Sequence, residues 1–172
     1  MRVLSIICGI CIILIFWKLH SIRTSQYEKD EFTCTSEVPA IQMYFYLNKY
    51  AAEYSIPLEY AYAVAYQETK YKGPLDLKYN PALTSTAGAV GPMQIIPSTA
   101  NYIMEQHVDV TELRTNIELN VQISMKLLRR LYDRYHNWKL VFGLYNTGRP
   151  VINQYALNVV KFNRKHYWIN NI

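Results

Sequence analysis

Residues 65–100 read AYQETKYKGPLDLKYNPALTSTAGAVGPMQIIPSTA, a lone glutamate followed by closely spaced small residues. Glu68 stands near the end of residues 58–70, a segment rich in alanine and aromatic residues. That composition predicts a helix buried on most sides, with Glu68 in its last turn. A carboxyl group there loses hydration and faces the negative end of the helix dipole, so its pKa should exceed about 4.3. A raised pKa suits a general acid, although a glutamate at a helix end is more often solvated.

Glycine and proline punctuate the chain after Glu68. Residues 71–91 contain three glycines and two prolines, which predicts a loop or an irregular hairpin. Gly143 and Gly148 are expected in a second loop, around residues 145–150. Glycine serves where the backbone needs unusual torsion angles or close approach. Two such loops near a helix that ends in a glutamate predict a cleft with main-chain groups exposed to a ligand.

Helical spacing of apolar residues recurs on both sides of this stretch. The pattern predicts a mainly α domain of five to seven helices. Besides 58–70, the helices are expected over 39–54, from 97, and over 115–135, 138–144 and 150–163.

A series of motifs, in the same order, resembles the soluble lytic transglycosylase family over roughly residues 40–162. The family pattern runs E-S, F-N-P, S-x-A-G-A-x-G-L-M-Q with P-x-T-A, then N-I and Y-N-A-G. The corresponding segments here are Gln67-Glu68-Thr69, Tyr79-Asn80-Pro81, Ser85 through Gln94 with Pro97-Ser98-Thr99-Ala100, Asn116-Ile117, and Tyr145-Asn146-Thr147-Gly148.

The resemblance implies a mainly α, lysozyme-like fold with a small hairpin at the cleft, and cleavage of the MurNAc–GlcNAc bond of peptidoglycan without water. Glu68 would protonate the leaving oxygen while the substrate's acetamido group stabilises the anomeric carbon. The same residue would then take the proton of the C6 hydroxyl, which closes a 1,6-anhydro ring. No cofactor is implied. Carried over by position, the substrate-binding residues are Ser85, Met93, Gln94, Tyr145 and Asn146. The Tyr145 hydroxyl is expected to reach a buried carboxyl.

Three departures from the family pattern leave alternatives open. Thr69 replaces Ser, Pro92 replaces Leu, and residues 70–78 insert about eight residues before Tyr79. The insertion carries several lysines and Asp76, a candidate second acid. A goose-type-like muramidase that uses water is therefore the alternative enzyme. A non-catalytic cell-wall-binding or assembly protein is the alternative from another class.

The N-terminal residues differ from the rest of the chain. Residues 3–17 are uncharged, and the run ends in bulky residues that offer no signal-peptidase site. We therefore expect a membrane anchor rather than a cleaved signal over 1–25, a tether over 26–38 and a catalytic domain over 39–172. This organisation places the domain on the periplasmic or outer side of a bacterial inner membrane. A secretion, conjugation or phage assembly apparatus is a further expected partner.

Charge and cysteine content exclude some functions. Residues 26–125 have a net charge of −6 and residues 126–172 a net charge of +8. A basic half could attract an anionic polymer, but no recognisable nucleic-acid module accompanies it, so we expect no nucleic-acid partner. Cys34 is the only cysteine after the anchor, which excludes an internal disulfide. The four histidines are scattered, so no metal site is expected.

Overall fold

The computed structural model describes residues 34–162, which form seven α-helices. In chain order these are α1 Pro39–Glu53, α2 Leu58–Thr69, α3 Pro97–Met104, α4 Val110–Thr115, α5 Ile117–Tyr135, α6 Trp138–Thr147 and α7 Gln154–Phe162. The mainly α prediction and the predicted starts of α1, α2 and α3 are confirmed. The expected anchor over residues 1–25 lies outside the described residues. Within 34–162, no helix has both the length and the apolar character needed to cross a membrane.

Most of the other helices pack against α5. It contacts α1, α3, α4 and α6, and it buries one face in the core. Apolar residues at helical spacing form that face, and removing them from water stabilises the fold. At its first turn, Glu118 Oε1 accepts hydrogen bonds from Lys49 Nζ at 3.0 Å and from the Tyr50 hydroxyl at 2.7 Å, which fixes α1 to α5. The scaffold around the cleft is therefore held by both apolar and polar contacts.

The predicted helix over 115–135 is confirmed but begins at Ile117, and a short helix that was not predicted precedes it. α4 ends at Thr115, and α5 begins at Ile117 after an extended residue, Asn116. The Asn116 side chain accepts a hydrogen bond from the Leu119 N–H at 3.0 Å and so caps α5. Asp109 caps α4 in the same way, at 2.8 Å from the Glu112 N–H. Two successive capping residues thus place the break and the additional helix.

Gly143 does not break a helix, contrary to the prediction. α6 continues to Thr147 and ends at Gly148, whose φ of 70° is left-handed. A Cβ on Gly143 would lie 1.6 Å from the carbonyl oxygen of Val151, so only glycine lets the α6–α7 link cross α6 so closely. The last helix begins at Gln154 and not at Pro150, because Asn153 Oδ1 accepts the Ala156 N–H at 2.9 Å and caps α7 there.

The long connection between α2 and α3 contains no strand, so the predicted hairpin is reduced to two isolated antiparallel bridges. Thr84 pairs with Val90, and Val90 pairs with Ile95. These bridges fold residues 84–95 into a compact loop, which lies against α5 through the fully buried Asn120.

Candidate active site

Glu68 lies in the last turn of α2, at the base of a cleft. Residues 61–65 of this helix are buried, so α2 runs through the core before it reaches the carboxyl group. The helix ends at Thr69, one residue after Glu68, and Lys70 caps it with a left-handed φ of 60°. Burial raises the pKa of the Glu68 carboxyl to about 7, against the opposing effects of a hydrogen bond from Tyr155 and the charge of Lys70. The group is therefore poised to hold or release a proton near neutral pH.

The hydrogen-bond partner of Glu68 is Tyr155, which the sequence analysis did not single out. Its hydroxyl donates to Glu68 Oε1 at 2.5 Å, and α7 contacts α2 along this edge. Burial and the Glu68 charge raise the pKa of Tyr155 well above its ordinary value, so it remains a proton donor. In the sequence it resembles any other aromatic residue of an apolar helix face, and no local motif distinguishes it.

Tyr145 does not bond to Glu68, contrary to the expectation. Its hydroxyl donates to the Met93 carbonyl oxygen at 2.7 Å and lies 2.9 Å from Ser124 Oγ. Because the single hydroxyl proton goes to the carbonyl, the Ser124 hydroxyl supplies the proton of the second bond. Burial and the nearby Glu68 charge raise the pKa of Tyr145 well above its ordinary value. Tyr145 therefore fixes the 84–95 loop to α5 and α6, close to the acid.

Asn120 on α5 fixes the loop of residues 84–95 through three hydrogen bonds. Its Oδ1 accepts the Met93 N–H at 2.9 Å, and its Nδ2 donates to the carbonyl oxygens of Val90 and Leu113 at 3.0 and 2.9 Å. A Cβ on Gly91, whose φ is 78°, would lie 2.4 Å from Asn120 Nδ2, so glycine is required. The sequence analysis named Asn116-Ile117 and missed Asn120. An asparagine within the apolar stripe of α5 was the available signal.

The cleft is a cavity of about 260 Å³ that Glu68 shares with residues from four parts of the fold. It is lined by Glu68, Ser85, Ala87, Ala89, Gln94, Ile95, Ile96, Thr99, Leu127, Tyr145 and Asn146. A second cavity, of about 330 Å³, shares Ile96, Thr99, Leu127, Tyr145 and Asn146 with the first and continues along Leu131 and Leu144. The two form one groove, whose lining is mixed beside Glu68 and more apolar beyond it.

Five of the six residues expected at the site line this cavity, and Met93 does not. Met93 is fully buried and contributes through its main chain. Gln94 adopts a left-handed φ of 51°, and its Nε2 donates to the Gly91 carbonyl oxygen at 2.9 Å. Ser85 Oγ accepts the Ala89 N–H at 3.0 Å and shapes the turn between them. Asp76, the candidate second acid, lies in the loop after α2 and is not among the lining residues.

The described residues form a mainly helical domain with a partly buried carboxylic acid, Glu68, in its cleft, which fits a lysozyme-like fold. Residues 45–168 match the family model of the transglycosylase SLT domain, and the chain belongs to this family. No curated protein matches the chain in sequence.

Solved structures of soluble lytic transglycosylases share the fold. The chain is 22% identical to a 70-kDa soluble lytic transglycosylase in complex with bulgecin A, with a TM-score of 0.61 over 74% of this chain and 24% of that one. The chain is also 22% identical to the 70-kDa soluble lytic transglycosylase from Escherichia coli, with a TM-score of 0.60 over 73% of this chain and 24% of that one. It is 17% identical to an inactive mutant of lytic transglycosylase Slt from Pseudomonas aeruginosa, with a TM-score of 0.63 over 91% of this chain and 29% of that one. The chain thus spans about a quarter of the length of these proteins.

Proposed function

We propose that this domain is a peptidoglycan lytic transglycosylase that cleaves the MurNAc–GlcNAc β-1,4 bond and leaves a 1,6-anhydroMurNAc end. Glu68 protonates the glycosidic oxygen, and its carboxylate then accepts the proton of the C6 hydroxyl. No water enters the reaction. The same carboxyl group serves first as acid and then as base.

The observation that carries this proposal is the lone, partly buried acid. Among the described residues that line the cavity, Glu68 alone has a carboxyl group, and its pKa is raised to about 7. Two-carboxylate glycosidases need a second acid at a defined distance across the bond, whereas substrate-assisted enzymes use a group of the sugar instead. The acetamido group of MurNAc fills that role here. A pKa near neutrality suits a group that must both donate and accept a proton.

The other groups of the cavity bind the sugars. Ser85, Gln94 and Asn146 offer hydroxyl and amide groups at the wall of the cleft, and Tyr145 contributes an aromatic ring. Glycan rings combine hydroxyl edges with apolar faces, so such a mixed lining suits them. The second cavity extends this groove away from Glu68, along Leu131 and Leu144.

The structural relatives support the same substrate class. They are named soluble lytic transglycosylases, and the Pseudomonas aeruginosa protein is an inactive mutant in which one glutamate is replaced by glutamine. By analogy we place the domain in the bacterial cell envelope, with peptidoglycan glycan strands as its partner. Anchoring through residues 1–25 and a role beside a secretion, conjugation or phage apparatus remain predictions from the sequence.

Digestion of purified sacculi by the full chain tests the reaction. Mass spectrometry of the released muropeptides should show 1,6-anhydro ends, and Glu68→Gln should lower the rate by at least about 100-fold. Asp76→Asn is the matched acid control and should retain most of the activity. Reducing ends, together with inactivity of Asp76→Asn, would establish the muramidase instead. Binding to sacculi without any release, unaffected by Glu68→Gln, would establish a non-catalytic binding protein.

A further inference from the structure

The loop of residues 71–79, named here the tip loop, holds two leucines in solvent. Leu75 is 90% exposed and Leu77 is 74% exposed, more than any other large hydrophobic residue in the described part of the chain. Single exposed leucines are common on protein surfaces. Here two highly exposed leucines are separated by a single residue. Together they form an apolar tip that the rest of the described domain does not cover.

Both ends of the tip loop are fixed, so the leucines are held outward. Tyr71 is fully buried, and its hydroxyl donates to the Ala40 carbonyl oxygen at 2.8 Å. At the other end, the Tyr79 hydroxyl lies 2.7 Å from Thr69 Oγ1. Between them, the Tyr79 N–H donates to the Asp76 carbonyl oxygen at 2.9 Å, which tightens the turn. The loop is a shaped projection, and its leucines do not fold back onto the core.

Lysines flank the apolar tip. Lys72 and Lys78 are exposed on either side of the leucines, and Asp76 is the single acid of the tip loop. An apolar tip with a basic border is the composition of segments that enter the interface of an anionic membrane. The base of the loop is bonded to the first turn of α1, through the Ala40 carbonyl oxygen.

We propose that the tip loop is a membrane-docking element that binds a lipid surface with anionic headgroups. Leu75 and Leu77 enter the interface, and Lys72 and Lys78 pair with lipid phosphates. The leucines favour a lipid surface over an anionic polymer, which would engage the lysines and leave the apolar tip in water. None of the tip-loop residues lines the Glu68 cavity, so the proposed docking uses residues separate from the cleft.

Quenching by brominated lipids tests the docking locally, because any vesicle binding by residues 1–33 would mask a bulk assay. The full chain carrying Leu75→Trp is mixed with vesicles of brominated phosphatidylcholine, with and without phosphatidylglycerol. Its fluorescence is compared with that of the wild type, which has three tryptophans of its own. Ile152→Trp is the matched control, because Ile152 is also exposed, at 52%, but lies in the α6–α7 link.

The expected result is strong quenching at position 75 on anionic vesicles only. Adding Lys72→Ser and Lys78→Ser should weaken the partition of the loop by roughly 30-fold at low salt, whereas Lys139→Ser should not. Equal quenching at positions 75 and 152, or none at 75, overturns the proposal. A blue shift at position 75 on sacculi, without quenching by lipid, also overturns it and assigns the surface to the cell wall.

Discussion

Replacing Glu68 by glutamine should stabilise the folded domain at pH 8 and leave its stability nearly unchanged at pH 4.5. Glutamine retains the shape of glutamate, and its Oε1 can still accept the hydroxyl proton of Tyr155. The variant therefore removes the charge and little else. Active-site groups held in unfavourable surroundings commonly oppose stability in this way.

The size of the effect follows from the two pKa values of the carboxyl group. Burial raises the pKa of Glu68 from 4.5 to about 7, with Tyr155 and Lys70 acting in the opposite direction. Between these values the folded domain holds a proton that the unfolded chain has lost, so the free energy of unfolding falls as the pH rises. Each pH unit corresponds to about 1.4 kcal/mol, so the wild type loses about 3 kcal/mol across this range. The glutamine variant loses none of it.

Urea unfolding of the two full chains between pH 4.5 and pH 8 measures the difference. The stability gain of the variant should be near zero at pH 4.5, grow through pH 6 and level off above pH 7. Glu53→Gln, at an exposed position at the end of α1, should show no such trend. A gain that is the same at every pH, or largest at pH 4.5, would refute the reasoning, because the carboxyl would then not be desolvated in the folded state.

Two further changes test the parts around the acid. Tyr155→Phe removes a bond that lowers the pKa of Glu68, so the alkaline limit of sacculus digestion should move up by about one pH unit. Tyr102→Phe, at an exposed position, should leave the limit in place, and a downward shift for Tyr155→Phe would contradict the assignment. Gly143→Ala should lower the free energy of unfolding by about 3 kcal/mol or more, because its Cβ meets a carbonyl oxygen. Gly88→Ala, with open space around it, should cost about 1 kcal/mol for its positive φ, and equal losses would exclude the clash.

The helices and the acid were predictable because they depend on local sequence. Prolines at residues 39 and 97 suit the first turn of a helix, and apolar spacing and composition predict α1, α2 and α5. A glutamate in an apolar helix indicates a raised pKa without reference to any tertiary contact. Periodicity and composition are sufficient for features of this kind.

The errors occurred where distant segments decide the conformation. The sequence predicts that Gly143 breaks a helix. In the structure Gly143 lies within α6, and its lack of a side chain lets the Val151 backbone pack closely against α6. Tyr145 reads as the partner of the acid, but α7 brings Tyr155 to that place and leaves Tyr145 to the loop. Neither outcome has a local signal, because both depend on how the α6–α7 link returns across the domain.

The position of the α6–α7 link also determines how α7 affects the pKa of Glu68 in the cleft. Burial alone would raise the pKa of Glu68 further, and the Tyr155 hydroxyl is the largest effect that lowers it. Tyr155 reaches the carboxyl because Gly143 lets the α6–α7 link pack closely against α6, and because Asn153 caps α7 so that this helix begins at Gln154. A substitution that displaces α7 slightly should therefore move the pH at which the acid titrates, even if the domain stays folded. Gly143 in α6 thus influences the protonation of Glu68 in α2, although the two residues are 75 positions apart in sequence.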